Sequence, residues 1–61
     1  NDDNFICTIG KYQANKSITL KQILENDYQW LKWAATEFRP ATVELKKQQD
    51  IVIRYLNTHK K

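Results

Sequence analysis

Three helix-start signals divide the chain after residue 18 and predict that most of this part is helical. Thr19 is followed three residues later by Gln22, which is the pattern of a capping box. Asp27 is a favourable N-cap for a second helix. Pro40 interrupts that helix and suits the first turn of a third one.

These signals predict the approximate bounds of the helices. The first follows Thr19 and stops at Asn26, the second covers Tyr28–Phe38, and the last and longest covers Ala41–Thr58. Thr42 could cap the last helix if that helix begins slightly later. Each helix has an apolar stripe at helical spacing: Leu20, Ile23 and Leu24; Trp30, Leu31, Ala34, Ala35 and Phe38; Leu45, Ile51, Val52, Tyr55 and Leu56. Gln48 and Gln49 interrupt the last stripe.

The residues before these helices have the pattern of a β-hairpin. Phe5, Cys7 and Ile9 alternate with more polar residues, which is typical of a strand with one buried face. Gly10 would provide the turn, residues 11–16 the return, and Ser17-Ile18 a short second strand. Because an isolated hairpin is not stable, we expect its apolar face to pack on the helices. The predicted fold class is α+β, a short N-terminal hairpin on three helices.

The length of 61 residues allows a single small domain, covering 1–61, in which we expect residues 1–4 to be frayed. The composition is ordinary for a globular protein, with 41% hydrophobic and 28% charged residues. The chain contains no Met and begins at Asn1, so we expect an excised or processed piece of a larger protein.

The residues needed for catalysis are scarce, so we expect no enzyme activity, no metal and no cofactor. His59 is the only histidine, and it lies near the C-terminus. Cys7 is the only cysteine, and its place on the predicted buried face suggests an inert thiol. With no disulfide possible within the chain and no long apolar run, we expect a cytoplasmic protein without a membrane segment, in the host cytoplasm if a phage encodes it.

The basic residues are concentrated in the C-terminal part. The formal net charge is +3, divided into −1 for residues 1–37 and +4 for residues 38–61. Such an asymmetry is typical of a surface that faces a polyanion. The candidate nucleic-acid contacts are Lys11, Tyr12 and Lys16 on the predicted hairpin, and Lys47 and Arg54 on the last helix. The alternatives are scattered solubilising charge and an acidic protein partner.

Trp30 and Trp33 are neighbours on the predicted second helix, because residues three apart lie on the same side of a helix. In one interpretation both serve only in packing. In the alternative, one of them is exposed and contacts a partner, since Trp is enriched at protein contacts.

Two segments carry a resemblance to a known family. Gly10-Lys11-Tyr12 with Lys16, followed by Asp27, Leu31 and Trp33, resembles the C-terminal module of exodeoxyribonuclease X-like proteins and the putative quorum-sensing-regulated virulence factor family. The similarity covers about residues 5–38. In those families Phe is usual where Ile9 stands, and Pro where Tyr28 stands. The resemblance implies an appended module of bacterial or phage DNA metabolism, without nuclease activity of its own.

Two functions therefore follow from the sequence. The first is a non-catalytic accessory module that contacts nucleic acid through the predicted hairpin and the last helix. The second is a protein-interaction or oligomerisation module that uses an exposed Trp30 or Trp33 and the C-terminal helix, with a larger protein or the parent chain as partner.

Overall fold

The computed structural model describes residues 2–59, and these residues form an all-helical fold. A single 3-10 turn, Gly10–Tyr12, precedes three α-helices: α1 (Leu20–Asn26), α2 (Tyr28–Thr36) and α3 (Val43–Thr58). In the described part of the chain no sheet or hairpin is present. The predicted α+β class is therefore wrong, while the prediction of three helices with the last one longest is confirmed.

Local side-chain capping sets where α1 and α3 begin. Thr19 Oγ1 accepts the N–H of Gln22 at 3.3 Å, and Gln22 Oε1 accepts the N–H of Thr19 at 2.9 Å, so the predicted capping box is confirmed. Thr42 Oγ1 accepts the N–H of Leu45 at 3.1 Å. The last helix accordingly begins at Val43, after the Thr42 cap, and not at Ala41.

The second helix is shorter at its C-terminal end than the apolar pattern indicates. It ends at Thr36, and the N–H groups of Glu37 and Phe38 both donate to the carbonyl of Trp33. The side chain of Gln49 from α3 then reaches two carbonyls at this end, those of Ala34 at 3.1 Å and Phe38 at 2.7 Å. A polar residue on the inner side of α3 thus satisfies backbone acceptors at the end of α2.

The core combines the three helices with the irregular segment that precedes them. Cys7 and Ile9 are fully buried, which confirms that the apolar face of residues 5–9 packs on the helices. The other buried hydrophobic residues come from all three helices: Leu20, Ile23, Leu24, Leu31, Ala34, Val52 and Tyr55. Helix α2 lies in the middle of the packing, since it contacts both α1 and α3.

The segment predicted as a hairpin is held by side chains instead of a second strand. Asn15 Nδ2 donates to the carbonyls of Cys7 (3.1 Å) and Ile18 (2.7 Å), while its Oδ1 accepts the N–H groups of Ser17 and Ile18. Only one antiparallel bridge, Ile6 to Thr19, occurs among the described residues. Side-chain bonds of this kind compete with regular ladders, and here they replace the ladder.

Gly10 ends the extended segment and begins a 3-10 turn where a returning strand was predicted. Its φ of +56° turns the backbone into the 3-10 turn, where the N–H of Tyr12 donates to the carbonyl of Ile9 at 3.0 Å. A left-handed residue is favourable for glycine and costly for other residues. The chain therefore leaves the extended path at Gly10, and it meets residues 5–6 again at the antiparallel Ile6–Thr19 bridge.

Candidate functional site

Four aromatic side chains form a continuous row on one side of α2. The ring centroids of Tyr12 and Trp30 are 4.6 Å apart in an edge-to-face arrangement, those of Trp30 and Trp33 are 6.2 Å apart, and those of Trp33 and Phe38 are 5.7 Å apart. We call Tyr12, Trp30, Trp33 and Phe38 the aromatic row. Contacts at these distances are within the range of favourable aromatic pairs.

Exposure differs along the row. Tyr12, Trp30 and Phe38 are partly buried and pack against the core, whereas 41% of Trp33 is exposed. The sequence left open whether both tryptophans serve in packing. In the structure Trp30 packs within the row, and Trp33 presents a large apolar surface to solvent.

The backbone at Gly10 lies beside the two indoles. A Cβ at this position would be 3.6 Å from Trp33 and 3.8 Å from Trp30, which are ordinary contact distances. Space therefore permits a side chain here, and the positive φ is what favours glycine. The turn is fixed on α2 by this contact together with the polar contacts of Lys11 and Tyr12.

Asp27 joins the turn to the start of α2. Its Oδ2 lies 2.6 Å from Lys11 Nζ and accepts the Tyr12 hydroxyl at 2.9 Å. These two contacts hold the pKa of Asp27 below its usual value. The hydrogen bond from Lys11 in turn raises the pKa of that amine, and burial followed by the Asp27 contact raises the pKa of Tyr12.

This arrangement differs from the expected role of Asp27. The residue occupies the N-cap position of α2, but its side chain makes no capping hydrogen bond to the helix. Its carboxylate instead binds two of the residues that we predicted to contact nucleic acid. Lys11 Nζ also lies 5.4 Å from the centroid of the Tyr12 ring, so cation and ring are already engaged with each other.

The other predicted basic contacts are Lys16, which precedes α1, and Lys47 and Arg54, which are seven residues apart on α3 and therefore lie on the same side of that helix. Lys16 and Lys47 are exposed, and Arg54 lies 3.7 Å from Asp2 in a largely exposed ion pair. Lys60 and Lys61, which contribute to the C-terminal excess of charge, lie outside the described residues. The full chain has ten Lys and Arg against seven Asp and Glu, a formal net charge of +3.

Gln48 and Gln49, which interrupt the apolar stripe of α3, both make hydrogen bonds to other segments of the fold. Gln48 Oε1 accepts the N–H of Thr8 at 2.8 Å, and its Nε2 donates to Thr8 Oγ1 at 2.7 Å. Polar residues within an apolar helix stripe could have signalled such contacts, because buried polar groups need hydrogen-bond partners. Their partners, however, lie up to 40 positions away in the sequence.

The thiol of Cys7 lies in the core. Cys7 is buried, and burial raises the pKa of its thiol, which disfavours the nucleophilic thiolate. Residues 2–59 contain no group of three side chains placed to hold a metal ion, and they form no pocket. No helix in this part of the chain has both the length and the apolar character needed to cross a bilayer.

No family model, curated protein or solved structure matches this chain. The resemblance to exodeoxyribonuclease X-like modules therefore stays a prediction. The α+β part of the sequence-based description is corrected, because the described residues form no sheet.

Proposed function

We propose that this chain is a protein-interaction module whose contact surface is centred on Trp33. The observation that carries the proposal is the partial exposure of this indole, 41%, in a domain whose other large aromatic residues are more buried. Tryptophan is enriched among the residues that dominate protein interfaces. An exposed Trp that neighbouring rings hold in place is a suitable anchor for a partner.

The exposed area of Trp33 sets the order of magnitude of the binding free energy that covering this side chain can contribute. An indole side chain presents up to about 250 Å², so 41% exposure leaves roughly 100 Å² in water. At about 25 cal/mol per Å², covering that area contributes ~2.5 kcal/mol to binding. This is comparable to the effect of an interface residue whose truncation markedly weakens binding, about 2 kcal/mol or more.

The neighbours of Trp33 reduce the entropic cost of using it. Trp30 and Phe38 contact the indole from two sides, and the Gly10 backbone lies beside it. A side chain whose position is already restricted loses less conformational freedom on binding. Val43 and Ile53 on α3 are also exposed.

The contacts of Lys11 and Tyr12 favour this proposal over a nucleic-acid interface at the turn. Both side chains bind Asp27, so a phosphate would have to compete with a carboxylate for the same amine. The formal net charge of the whole chain is +3, a modest excess for a phosphate-binding surface.

The experiment compares the wild-type chain with Trp33→Gln in two assays. Sedimentation from micromolar to millimolar concentration tests self-association, and affinity capture followed by titration of the purified partner tests other proteins. Ile18→Gln is the matched control, since Ile18 is a large apolar residue of similar exposure, 39%. We expect Trp33→Gln alone to weaken binding by about tenfold or more, as a loss of ~2 kcal/mol implies.

Equal binding by the wild-type chain and Trp33→Gln, with unchanged helical circular dichroism, would contradict the proposal. Retention on DNA at low salt that Lys47→Gln and Arg54→Gln abolish, and that Trp33→Gln leaves unchanged, would also contradict it. That result would assign the main contact to a polyanion.

A further inference from the structure

The side of α3 that is opposite to its buried residues is exposed along the whole helix. Positions on this side recur at alternating spacings of three and four, so they form one continuous stripe. We call this stripe the outer seam, and all its members are exposed: Val43, Lys46, Asp50, Ile53 and Asn57. Its two apolar members are among the exposed large hydrophobic residues of the fold, Val43 at 72% and Ile53 at 36%.

The two charged members of the outer seam are not paired within the described part of the chain. The ion pairs of residues 2–59 are made by Lys11, Arg54 and His59, and Lys46 and Asp50 take part in none of them. A base and an acid thus lie one helical turn apart on an open face, between the two apolar residues.

The outer seam is complementary to itself in one arrangement. When a second copy of α3 lies antiparallel on the first, with both helices centred at position 48, Lys46 of each copy faces Asp50 of the other. The same register places Val43 of each copy opposite Ile53 of the other, because both pairs of positions have the same midpoint. Two ion pairs then lie in the middle of the contact and an apolar pair lies at each end.

Other arrangements of two α3 helices lack this match. A parallel pair brings like charges together, Lys46 on Lys46 and Asp50 on Asp50. An antiparallel pair shifted by seven residues places Asp50 opposite Ile53 in one direction, and Val43 opposite Lys46 in the other. Because burying a charge without a partner costs free energy, one symmetric arrangement is favoured over these alternatives.

We propose that the outer seam is a self-association surface on which a second copy of this chain binds antiparallel. The overlap of residues 43–53 is about 15 Å long at 1.5 Å per residue. One helix face of this length covers less than the roughly 800 Å² per partner of a standard interface. The dimer is therefore weak, and it forms as the concentration approaches the millimolar range.

One flank of the seam opposes the association. In a symmetric antiparallel pair the same flank of both helices meets, so the exposed Lys47 of one copy approaches Lys47 of the other. Arg54 lies on the same flank, 3.7 Å from Asp2 of its own chain. Removing the charge of Lys47 should consequently strengthen the dimer.

An exchange of charges tests the register directly, with sedimentation equilibrium at low ionic strength as the measurement. Lys46→Glu and Asp50→Lys each turn both attractive pairs into repulsive ones, so each should raise the dissociation constant about tenfold. An equimolar mixture of the two variants restores both pairs and should associate as tightly as the wild-type chain. Both new residues are good helix formers, and helical circular dichroism checks that α3 is retained.

The net charges of the variants separate pairing from general attraction. Each substitution changes the charge by two, so the formal values are +1 and +5 against +3 for the wild-type chain, and both partners in the mixture stay positive. Lys16→Glu is the matched control, because it makes the same change of charge at an exposed position outside α3. Its mixture with Asp50→Lys should stay weak. Likewise, Lys47→Gln should lower the dissociation constant more than Lys16→Gln does.

A wild-type chain that stays monomeric up to millimolar concentration would overturn the proposal. So would a mixture of Lys46→Glu and Asp50→Lys that associates no better than either variant alone, or one that Lys16→Glu restores equally well. Trp33 is not part of the outer seam. Self-association that Trp33→Gln abolishes and the seam variants leave unchanged would place the contact at the indole and overturn this inference, while supporting the function proposed above.

Discussion

Gln48 offers the sharpest test of how the irregular first segment is held. Its amide makes two hydrogen bonds to Thr8, one to the backbone N–H at 2.8 Å and one to Oγ1 at 2.7 Å. Gln48→Ala removes both and leaves the N–H of Thr8 without its partner in a partly buried position. Alanine is at least as favourable as glutamine within a helix, so helix propensity does not add to the loss.

The expected loss follows from the number of bonds. Each hydrogen bond contributes about 0.5–1.5 kcal/mol net, and an unsatisfied buried donor costs about 1–3 kcal/mol. We therefore expect Gln48→Ala to destabilise the fold by ~2–3 kcal/mol. A domain of 61 residues is expected to have a total stability of about 3–9 kcal/mol. The variant should consequently be much less stable than the wild-type chain. If the wild-type stability lies in the upper part of this range, the variant should still be folded at low temperature.

Urea unfolding followed by Trp fluorescence and by helical circular dichroism measures this loss. Gln29→Ala is the matched control, because Gln29 is exposed on α2. Thr8→Ala removes only the bond to Oγ1, so we expect roughly half the effect, about 1 kcal/mol. In the double variant the losses should not add, since the two residues contact each other. A loss below about 0.5 kcal/mol for Gln48→Ala, or one equal to that of Gln29→Ala, would refute the reasoning.

Two further predictions concern the turn on α2. Gly10→Ala should destabilise the fold by about 1–2 kcal/mol because Gly10 has a positive φ, and Gly10→Asn should destabilise it by less. Urea unfolding measures both losses. Equal stability of Gly10→Ala and the wild-type chain would contradict this prediction. Asp27 has a lowered pKa, so its contribution is present above its unfolded pKa of about 3.9 and is lost as pH falls through the lower folded value. The difference in urea midpoint between wild type and Asp27→Asn should therefore be larger at pH ~6 than at pH ~3, and a difference independent of pH would contradict the prediction.

The helices could be predicted because their signals are local. The capping box at Thr19 and the cap at Thr42 depend on residues three positions apart, and both are present in the structure. The buried positions of α3 also follow the helical period, with Val52 and Tyr55 inside. The predicted and observed bounds differ by two residues at the end of α2 and at the start of α3. At these two places, capping and the turn before Pro40 determine where the helix stops or begins.

The first segment could not be predicted in the same way, because distant side chains replace its strand partner. An alternating pattern of apolar residues indicates which side chains are buried, and Cys7 and Ile9 are indeed buried. The same pattern does not indicate what binds the backbone. Here the partners are Asn15 and, from 40 positions away, Gln48. For the candidate site, the pairing of Asp27 with Lys11 had no sequence signal beyond opposite charge.

The distribution of these contacts bears on how the fold presents Trp33. Burial of the Cys7 and Ile9 side chains favours packing of residues 5–9 on the helices. Because the hydrophobic effect is not directional, this burial does not by itself specify one backbone conformation for the segment. The polar contacts of Asn15, Gln48 and Asp27 supply that direction. The indole, by contrast, stands on α2, which packs against both α1 and α3. Loosening the segment should therefore affect the Gly10 side of the indole first, and leave Trp33 positioned by Phe38 and its own helix.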